Sequence, residues 1–310
     1  MKTFYKIILG IILVTGQVKL FGQQDPMYSM YMFDKALINP AYAGSSNWAI
    51  GTIKYRNQFT GLSAHPTTQT INFHSPIQRK HIGVGLKVIN DKNAIIHNIN
   101  IGAQFSYHLN FAGGKLSVGL EAGIYNRKIN FQKLILNDLN DNAIPGTSKS
   151  SLTPDVSYGV YYQKKQFYTG FSQSHLIKGK FNYGENERTS RLYSHYYFIV
   201  GNVFDINKTW SVEPSILLKK QASVAPQIDL NAMLYYDEKI GVGLQYRTRD
   251  ALVAVLKVNI SESIRIAYSY DLTLSKLANY SKGSHEIIIS YGIKLPPPPT
   301  QKEIHPRYYF

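Results

Sequence analysis

From Asn98 to Leu109 every second residue is apolar. Ile99, Ile101, Ala103, Phe105, Tyr107 and Leu109 fall on one side; Asn98, Asn100, Gly102, Gln104, Ser106 and His108 fall on the other. After Asn110-Phe111-Ala112-Gly113-Gly114 the alternation resumes, with Leu116, Val118, Leu120, Ala122 and Ile124 facing Lys115, Ser117, Gly119, Glu121 and Gly123. A period of two dictates extended strands with one oily and one wet face. Segments of roughly 9–11 such residues, recurring to the end of a chain, are the pattern of a transmembrane β-barrel.

Alternation assigns fourteen strands, at 48–57, 67–75, 82–89, 98–110, 115–129, 155–163, 166–173, 193–204, 209–219, 227–236, 240–247, 251–259, 263–271 and 285–293. The expected fold is therefore all-β, an antiparallel up-and-down transmembrane barrel of about 14 strands preceded by a short N-terminal segment. The connections sort by parity. The even ones (76–81, 111–114, 164–165, 205–208, 237–239, 260–262) are short, whereas the long ones (130–154, 174–192, 272–284) are all odd. Short turns on one side and long loops on the other are expected of an outer-membrane barrel, and a soluble sandwich has no reason to sort its loops this way. Many of the 24 tyrosines, such as Tyr55, Tyr125, Tyr162, Tyr236, Tyr268 and Tyr291, lie near strand ends, as rings seated at headgroup level would.

The first residues read as a secretory leader: Lys2 and Lys6, then apolar 7–14, then a polar stretch. The apolar run is too short to cross a bilayer as a helix. The expected organisation is a signal peptide at 1–22, an N-terminal segment at 23–47 serving as plug or periplasmic contact, a barrel at 48–295 and a Pro-rich tail at 296–310. An even strand number puts both termini on the periplasmic side. There is no cysteine, which excludes a lipidated cysteine and a disulfide framework.

Charge adds less. The chain has 34 basic and 19 acidic residues, a formal +15; with Lys2, Lys6 and Lys19 in the leader, 31 against 19 leave +12 on the mature part. The cations are dispersed, which reads as solvated loops with lipopolysaccharide phosphates as candidate ligands and gives no nucleic-acid footprint. The inward set Glu121, Arg127, Asp155, Glu213, Lys219, Asp229, Asn231, Gln245, Arg247, Arg265, Asp271 and Glu286 carries both signs. Mixed charges pair more readily than they select, favouring a lattice that braces the wall over a solute path. A lumen of this size is wider than an eight-stranded wall can fill, and segment 24–45 is the natural filler.

No catalysis or cofactor is expected. In Ser194-His195 and Ser284-His285 the two side chains point to opposite faces of a strand, so neither pair can join nucleophile and base. The nine histidines show no repeated ligand spacing and there is no thiolate, so no metal site is expected. Gly83-Val84-Gly85 and Gly241-Val242-Gly243 precede no helix and read as small inward residues rather than phosphate loops.

The segment Gln24-Asp25-Pro26-Met27-Tyr28-Ser29-Met30-Tyr31-Met32-Phe33, continuing to Asn39-Pro40-Ala41-Tyr42-Ala43-Gly44-Ser45, resembles the opening of the PorP/SprF family, outer-membrane proteins of the type IX secretion system. Tyr55-Arg56-Asn57-Gln58-Phe59-Thr60-Gly61, Pro66-Thr67-Thr68-Gln69-Thr70, Tyr268-Ser269-Tyr270-Asp271, Gly283-Ser284-His285-Glu286-Ile287 and Pro306-Arg307-Tyr308-Tyr309-Phe310 add to the likeness. Met30, Asp34, Phe59 and Ser63 depart from the residues common in the family. The resemblance implies a non-enzymatic role in protein export or gliding motility, by binding the C-terminal domain of a surface adhesin or other exported cargo. It also implies contacts with secretion or motility components on the periplasmic side. Its motifs make Asn39, Pro40, Tyr42, Arg56, Gln58, Phe59, Asp271, His285 and Glu286 the candidate partner-binding residues. The rival is a solute channel similar to the 14-stranded transporters of hydrophobic molecules; a soluble β-sandwich adhesin comes third.

Overall fold

The structure is a computed structural model that describes residues 25–77, 80–133, 147–181, 183, 190–221 and 224–296. Fourteen strands form the wall: β1 (Trp48–Asn57), β2 (Thr67–Ile77), β3 (Ile82–Asn93), β4 (Ile96–Phe111), β5 (Gly114–Asn130), β6 (Ser148–Lys164), β7 (Phe167–Ser174), β8 (His195–Asn202), β9 (Trp210–Gln221), β10 (Gln227–Tyr236), β11 (Ile240–Arg247), β12 (Ala251–Asn259), β13 (Ile264–Thr273) and β14 (Ser284–Lys294). Each pairs antiparallel with its sequence neighbour, and β1 returns to β14 from Trp48 opposite Lys294 to Asn57 opposite His285. The ladder therefore closes. Closure gives every wall strand two partners, which a bilayer requires because it offers no water to an unpaired peptide group.

The faces are inverted relative to a soluble protein. Along β4 the side chains of Asn98, Asn100, Gln104, Ser106 and His108 are buried, while Ile99, Ile101, Phe105, Tyr107 and Leu109 are exposed. On β5, Val118 and Leu120 lie on the outside, Leu120 at 59% exposure, while Ser117 and Glu121 are enclosed. Those outward apolar rows are what acyl chains would solvate. They rule out a sandwich, whose oily faces would meet each other.

Fourteen strands stand where alternation predicts them, and the differences have local causes. β6 begins at Ser148 rather than 155, because Ser148–Ser151 continue the pairing with β5 on polar residues that carry no oily face. The connection before it shrinks to 131–147, of which 134–146 lie outside the described residues. β3 and β4 run on to a tight turn at 94–95. β8 stops at Asn202, two residues before the expected 204. Its pairing with β9 ends at Gly201 opposite Ser215 and resumes, in unchanged register, at Phe204 opposite Val212. Pro214 sits in that gap and has no N–H to give.

The two barrel ends differ. Connections 112–113, 165–166 and 237–239 are tight turns at one end; 58–66, 131–147, 175–194 and 274–283 lie at the other. Loop 175–194 does not simply project. Lys180 pairs with Arg191 and Phe181 with Ser190, and Phe181, fully buried, packs with Tyr125, Tyr183 and Leu192 over the mouth. Leu295 donates its N–H to the Asn47 carbonyl at the turn end.

The apolar band predicts a depth-dependent cost for charge. Leu120→Arg should lower the stability of the bilayer-embedded protein by about 2–4 kcal/mol, read by urea unfolding from lipid vesicles. A change within about 0.5 kcal/mol would contradict a lipid-facing Leu120.

Candidate functional site

Residues 25–45 run through the barrel interior from the loop end to the turn end. Three short 3-10 turns, Tyr31–Phe33, Lys35–Leu37 and Pro40–Tyr42, organise this strap. Its amides are too irregular to satisfy one another, so the wall must do it. Ser172 Oγ donates to the Ile38 carbonyl (2.6 Å), Gln104 Nε2 to Ala36 (2.9 Å), Ser106 Oγ to Ala43 (2.6 Å) and Lys115 Nζ to Ser45 (2.9 Å). Asn72 Nδ2 donates to the Asp34 carboxylate (2.6 Å). The strap's apolar residues meet an apolar strip of the inner wall: Met30, Tyr31, Met32 and Ile38 pack with Ile199, Leu217, Met233, Val253, Val255 and Ile288. Over Ala251–Val255 of β12 both faces are therefore apolar.

The expected corner at Asn39-Pro40-Ala41-Tyr42 is a docking element inside the wall. Asn39 Oδ1 accepts from the Ala41 N–H (3.0 Å), capping the third turn, and its Nδ2 donates to the carbonyls of Val160 (3.0 Å) and Phe171 (3.3 Å). Pro40 supplies the first position of that turn, where a missing N–H costs nothing. Tyr42 packs edge-on against Tyr161 and His74. Two wall glycines permit the approach: a Cβ at Gly159 would collide with the Asn39 amide, and one at Gly119 with the Ala41 backbone.

The strap's other anchor is a buried charge cluster on the strands that close the barrel. Arg56 of β1 faces Glu286 of β14 across the closing ladder and pairs with it at 3.0 Å, and with Asp271 of β13 at 2.7 Å. Arg247 of β11 pairs with Asp271 (3.1 Å), with Asp250 (3.3 Å) and with Asp229 (3.4 Å), its cross-strand neighbour on β10. At the centre is Ser29. Its hydroxyl accepts from Arg56 Nη1 (2.9 Å) and Arg247 Nη2 (2.8 Å) and donates to Asp271 (2.7 Å). Glu286 accepts the N–H groups of Ser29 (2.9 Å) and Met30 (3.1 Å). Lys54 lies 3.8 Å from Glu286, and Lys219 pairs with Asp229 at 2.9 Å. Four cations thus meet four carboxylates, which is how charges survive burial. Elsewhere Glu213 accepts from Tyr168 and Tyr235, both at 2.7 Å. The inward charges are a lattice, and the strap belongs to it.

The strap begins at Asp25, near the loop end. Asp25 Oδ1 accepts from His175 Nε2 (2.7 Å), and His175 Nδ1 lies 2.8 Å from Asp155 of β6. His195 Nδ1 is 3.5 Å from Asp25 Oδ2, to which Tyr197 donates at 3.1 Å. Burial disfavours a charged imidazole at His175, but the Asp25 charge and hydrogen bonds to both carboxylates outweigh it and raise its pKa to about 10. Burial also opposes the Asp25 charge; the neighbouring imidazoles nevertheless hold its carboxyl well below the usual range.

Of the sequence-derived candidates, Arg56, Asp271 and Glu286 converge on Ser29, while Asn39, Pro40 and Tyr42 belong to the strap. Gln58 and Phe59 lie in the first loop, where Gln58 Nε2 donates to Met27 Sδ of the strap (3.9 Å) and Phe59 N donates to Ser284 Oγ (3.0 Å). His285 points away from the lumen and meets the Tyr268 hydroxyl at 2.6 Å. Ser29, Asp25 and His175 carried no sequence signal of their own. The apolar inner face of β12 was a usable one: Val253 and Val255 alternate with Leu252, Ala254 and Leu256, which a water-filled lumen would not need. Parity holds for the wall, β1 beginning and β14 finishing at the turn end; the strap traverses the lumen, so its first described residue, Asp25, lies near the loop end.

A closed 14-strand barrel with an oily exterior and a strap laced through its interior defines an outer-membrane protein of the channel-like barrel class. The fold is similar to a TodX deletion mutant described as a monoaromatic hydrocarbon channel, at 10% identity and TM-score 0.51, over 84% of this chain and 94% of that one. A FadL homologue from Pseudomonas aeruginosa aligns at 12% identity and TM-score 0.49, over 83% and 92%. The outer-membrane protein Omp33 of Acinetobacter baumannii aligns at 7% and 0.44, over 80% and 97%. No curated protein matches the chain by sequence. The family described as "Type IX secretion system membrane protein PorP/SprF" matches residues 20–291. The chain belongs to that family.

Removing one member of a buried ion cluster leaves its partners uncompensated. Arg56→Ala should therefore cost about 3–5 kcal/mol, read by urea unfolding, and should expose the strap to protease added at the loop end. Deleting 25–45 should turn a silent barrel into a conducting one in planar bilayers. Equal conductance with and without the strap would contradict its seal.

Proposed function

We propose that this secretion-system barrel works by binding: it holds an exported protein, most simply the C-terminal domain of a surface adhesin, at its loop end and anchors it in the outer membrane. The observation that carries this reading is the occupied lumen. The strap is hydrogen-bonded along its length; the cavity beside its first half, about 40 Å³ and lined by Leu37, Lys87 and Asn100, admits only a few waters, while a wider one of about 310 Å³ lies at the turn end between Tyr42, Arg265 and Ser290. A solute path would require the charge cluster around Ser29 to come apart.

With the interior filled, the surfaces available to a protein partner are the two ends. Loops 131–147 and 175–194 are the largest at the loop end, although 134–146, 182 and 184–189 lie outside the described residues. Gln58 and Phe59 in the first loop belong to the same rim and are the partner-contacting members of the candidate set. His285, beside Tyr268 and Tyr270 on the outer wall, is a headgroup-level contact. Arg56, Asp271, Glu286, Asn39, Pro40 and Tyr42 serve the partner indirectly, by fixing the strap under the rim. In this reading the loop end faces outward and the turn end, where β14 finishes at Lys294, faces secretion or motility components in the periplasm. The family description names a membrane component of a secretion system and no reaction.

The rival solute channel gains only a shared fold from the hydrocarbon-channel likeness, and the strap stands against it. Purification from the native host in mild detergent separates the two. A large exported protein or a machine component should accompany the barrel, and replacing 131–147 and 175–194 with short turns should release the exported protein while the barrel stays in the outer membrane. A barrel that purifies alone and transports solutes into liposomes with its strap in place would contradict the binding role.

A further inference from the structure

Asp25, His175 and His195 come from three separate places, the strap's start, the end of β7 and the start of β8, yet one ligand atom from each lies within 4.8 Å of the others. Two imidazole nitrogens and a carboxylate are a donor set for Zn²⁺ and its first-row neighbours rather than for Mg²⁺ or Ca²⁺, which take oxygen. Around Zn²⁺, with bonds of about 2.0–2.1 Å, tetrahedral ligand atoms sit roughly 3.3 Å apart. Here His175 Nε2 is 2.7 Å and His195 Nδ1 3.5 Å from Asp25 oxygens; His195 Nδ1 now donates to the Tyr193 carbonyl (3.0 Å), so ligation requires that the ring give up this bond and turn toward Asp25.

The surroundings have the organisation of a metal site. Asp155 holds His175 Nδ1 at 2.8 Å and so turns Nε2 toward Asp25, the carboxylate–histidine arrangement that orients metal-ligating imidazoles. Tyr197 donates to Asp25 and orients it in turn. Both histidines are buried, whereas Asp25 lines cavities on two sides, one of about 40 Å³ and one of about 20 Å³, leaving room for a water as fourth ligand. Once His175 releases the proton it shares with Asp25, two carboxylates with two neutral imidazoles carry a charge of −2, which a divalent ion balances. The lysines lining those cavities include Lys87 and Lys219, which are paired with Glu121 and Asp229.

We propose that Asp25, His175 and His195 bind a divalent transition metal of the Zn²⁺ class, which staples the start of the luminal strap to the mouth of the barrel. The ion would take the place of the proton now shared between His175 Nε2 and Asp25. It would cross-link three chain segments in a chain whose lack of cysteine excludes a disulfide.

The test uses the untagged full-length protein in mild detergent, stripped with EDTA and titrated with Zn²⁺ by calorimetry and with Co²⁺ by visible absorption. The expected result is saturable binding of one equivalent, with Co²⁺ bands that report nitrogen ligation. Asp25→Asn and His195→Phe should abolish it; the phenylalanine keeps a ring against Tyr197. Asp155→Asn, acting through His175, should weaken it by about ten- to a hundredfold. Heat-modifiable migration on gels checks that each variant is folded, and Asp25→Asn, at the strap's start, leaves the wall sequence intact. The absence of saturable uptake, or uptake unchanged in the folded variants, would overturn the proposal and leave a proton-bridged ion cluster.

Discussion

A peptide group in hydrocarbon has to find its hydrogen-bond partner within the protein, and most of this structure follows from that constraint. The chain answers it by closing the ladder between β1 and β14. A closed ladder of fourteen strands encloses more space than its inward side chains can fill, so closure creates a second problem. The strap is the answer to that one. Its irregular backbone is tolerable at membrane depth because wall side chains such as Ser106, Ser172 and Gln104 take up its carbonyls.

The two solutions meet at one place. Arg56 and Glu286 lie opposite each other on the strands that close the barrel, and the pair of them grips Ser29 and Met30 of the strap. Barrel closure and lumen filling are thus coupled through one charge cluster. At the other end of the strap the coupling is steric: Asn39 and Ala41 press against Gly159 and Gly119, where any side chain would keep them out. What remains free for a protein partner is the two ends of the barrel, and the proposed binding role rests on that.

Much of the fold was readable in the sequence because lipid enforces the alternation. β1, β10, β11 and β12 have the boundaries that alternation predicts, all within the zone where one face must be oily. Boundaries drift where that pressure ends, as in polar Ser148–Ser151 of β6 or beside Pro214 of β9. Site residues were legible in proportion to their chemistry. Arg56, Asp271 and Glu286 stand out because charges on an inward face need partners. Ser29 does not, since a serine in an irregular segment has no periodicity to betray it. Asp25, His175 and Asp155 are far apart in sequence, so topology alone brings them together. The double apolar face of β12 was the one local sign that the lumen holds protein rather than water.

The central claim, that the strap is an integral part of the folded barrel, is tested most directly by hydrogen exchange on the native protein in detergent. The account predicts that the N–H groups of Ser29 and Met30, held by Glu286 of β14, and of Ala41, held by the buried Asn39 side chain, exchange as slowly as those of β13 and β14. Exchange of those amides at rates typical of a solvated peptide, with the wall still protected, would contradict it.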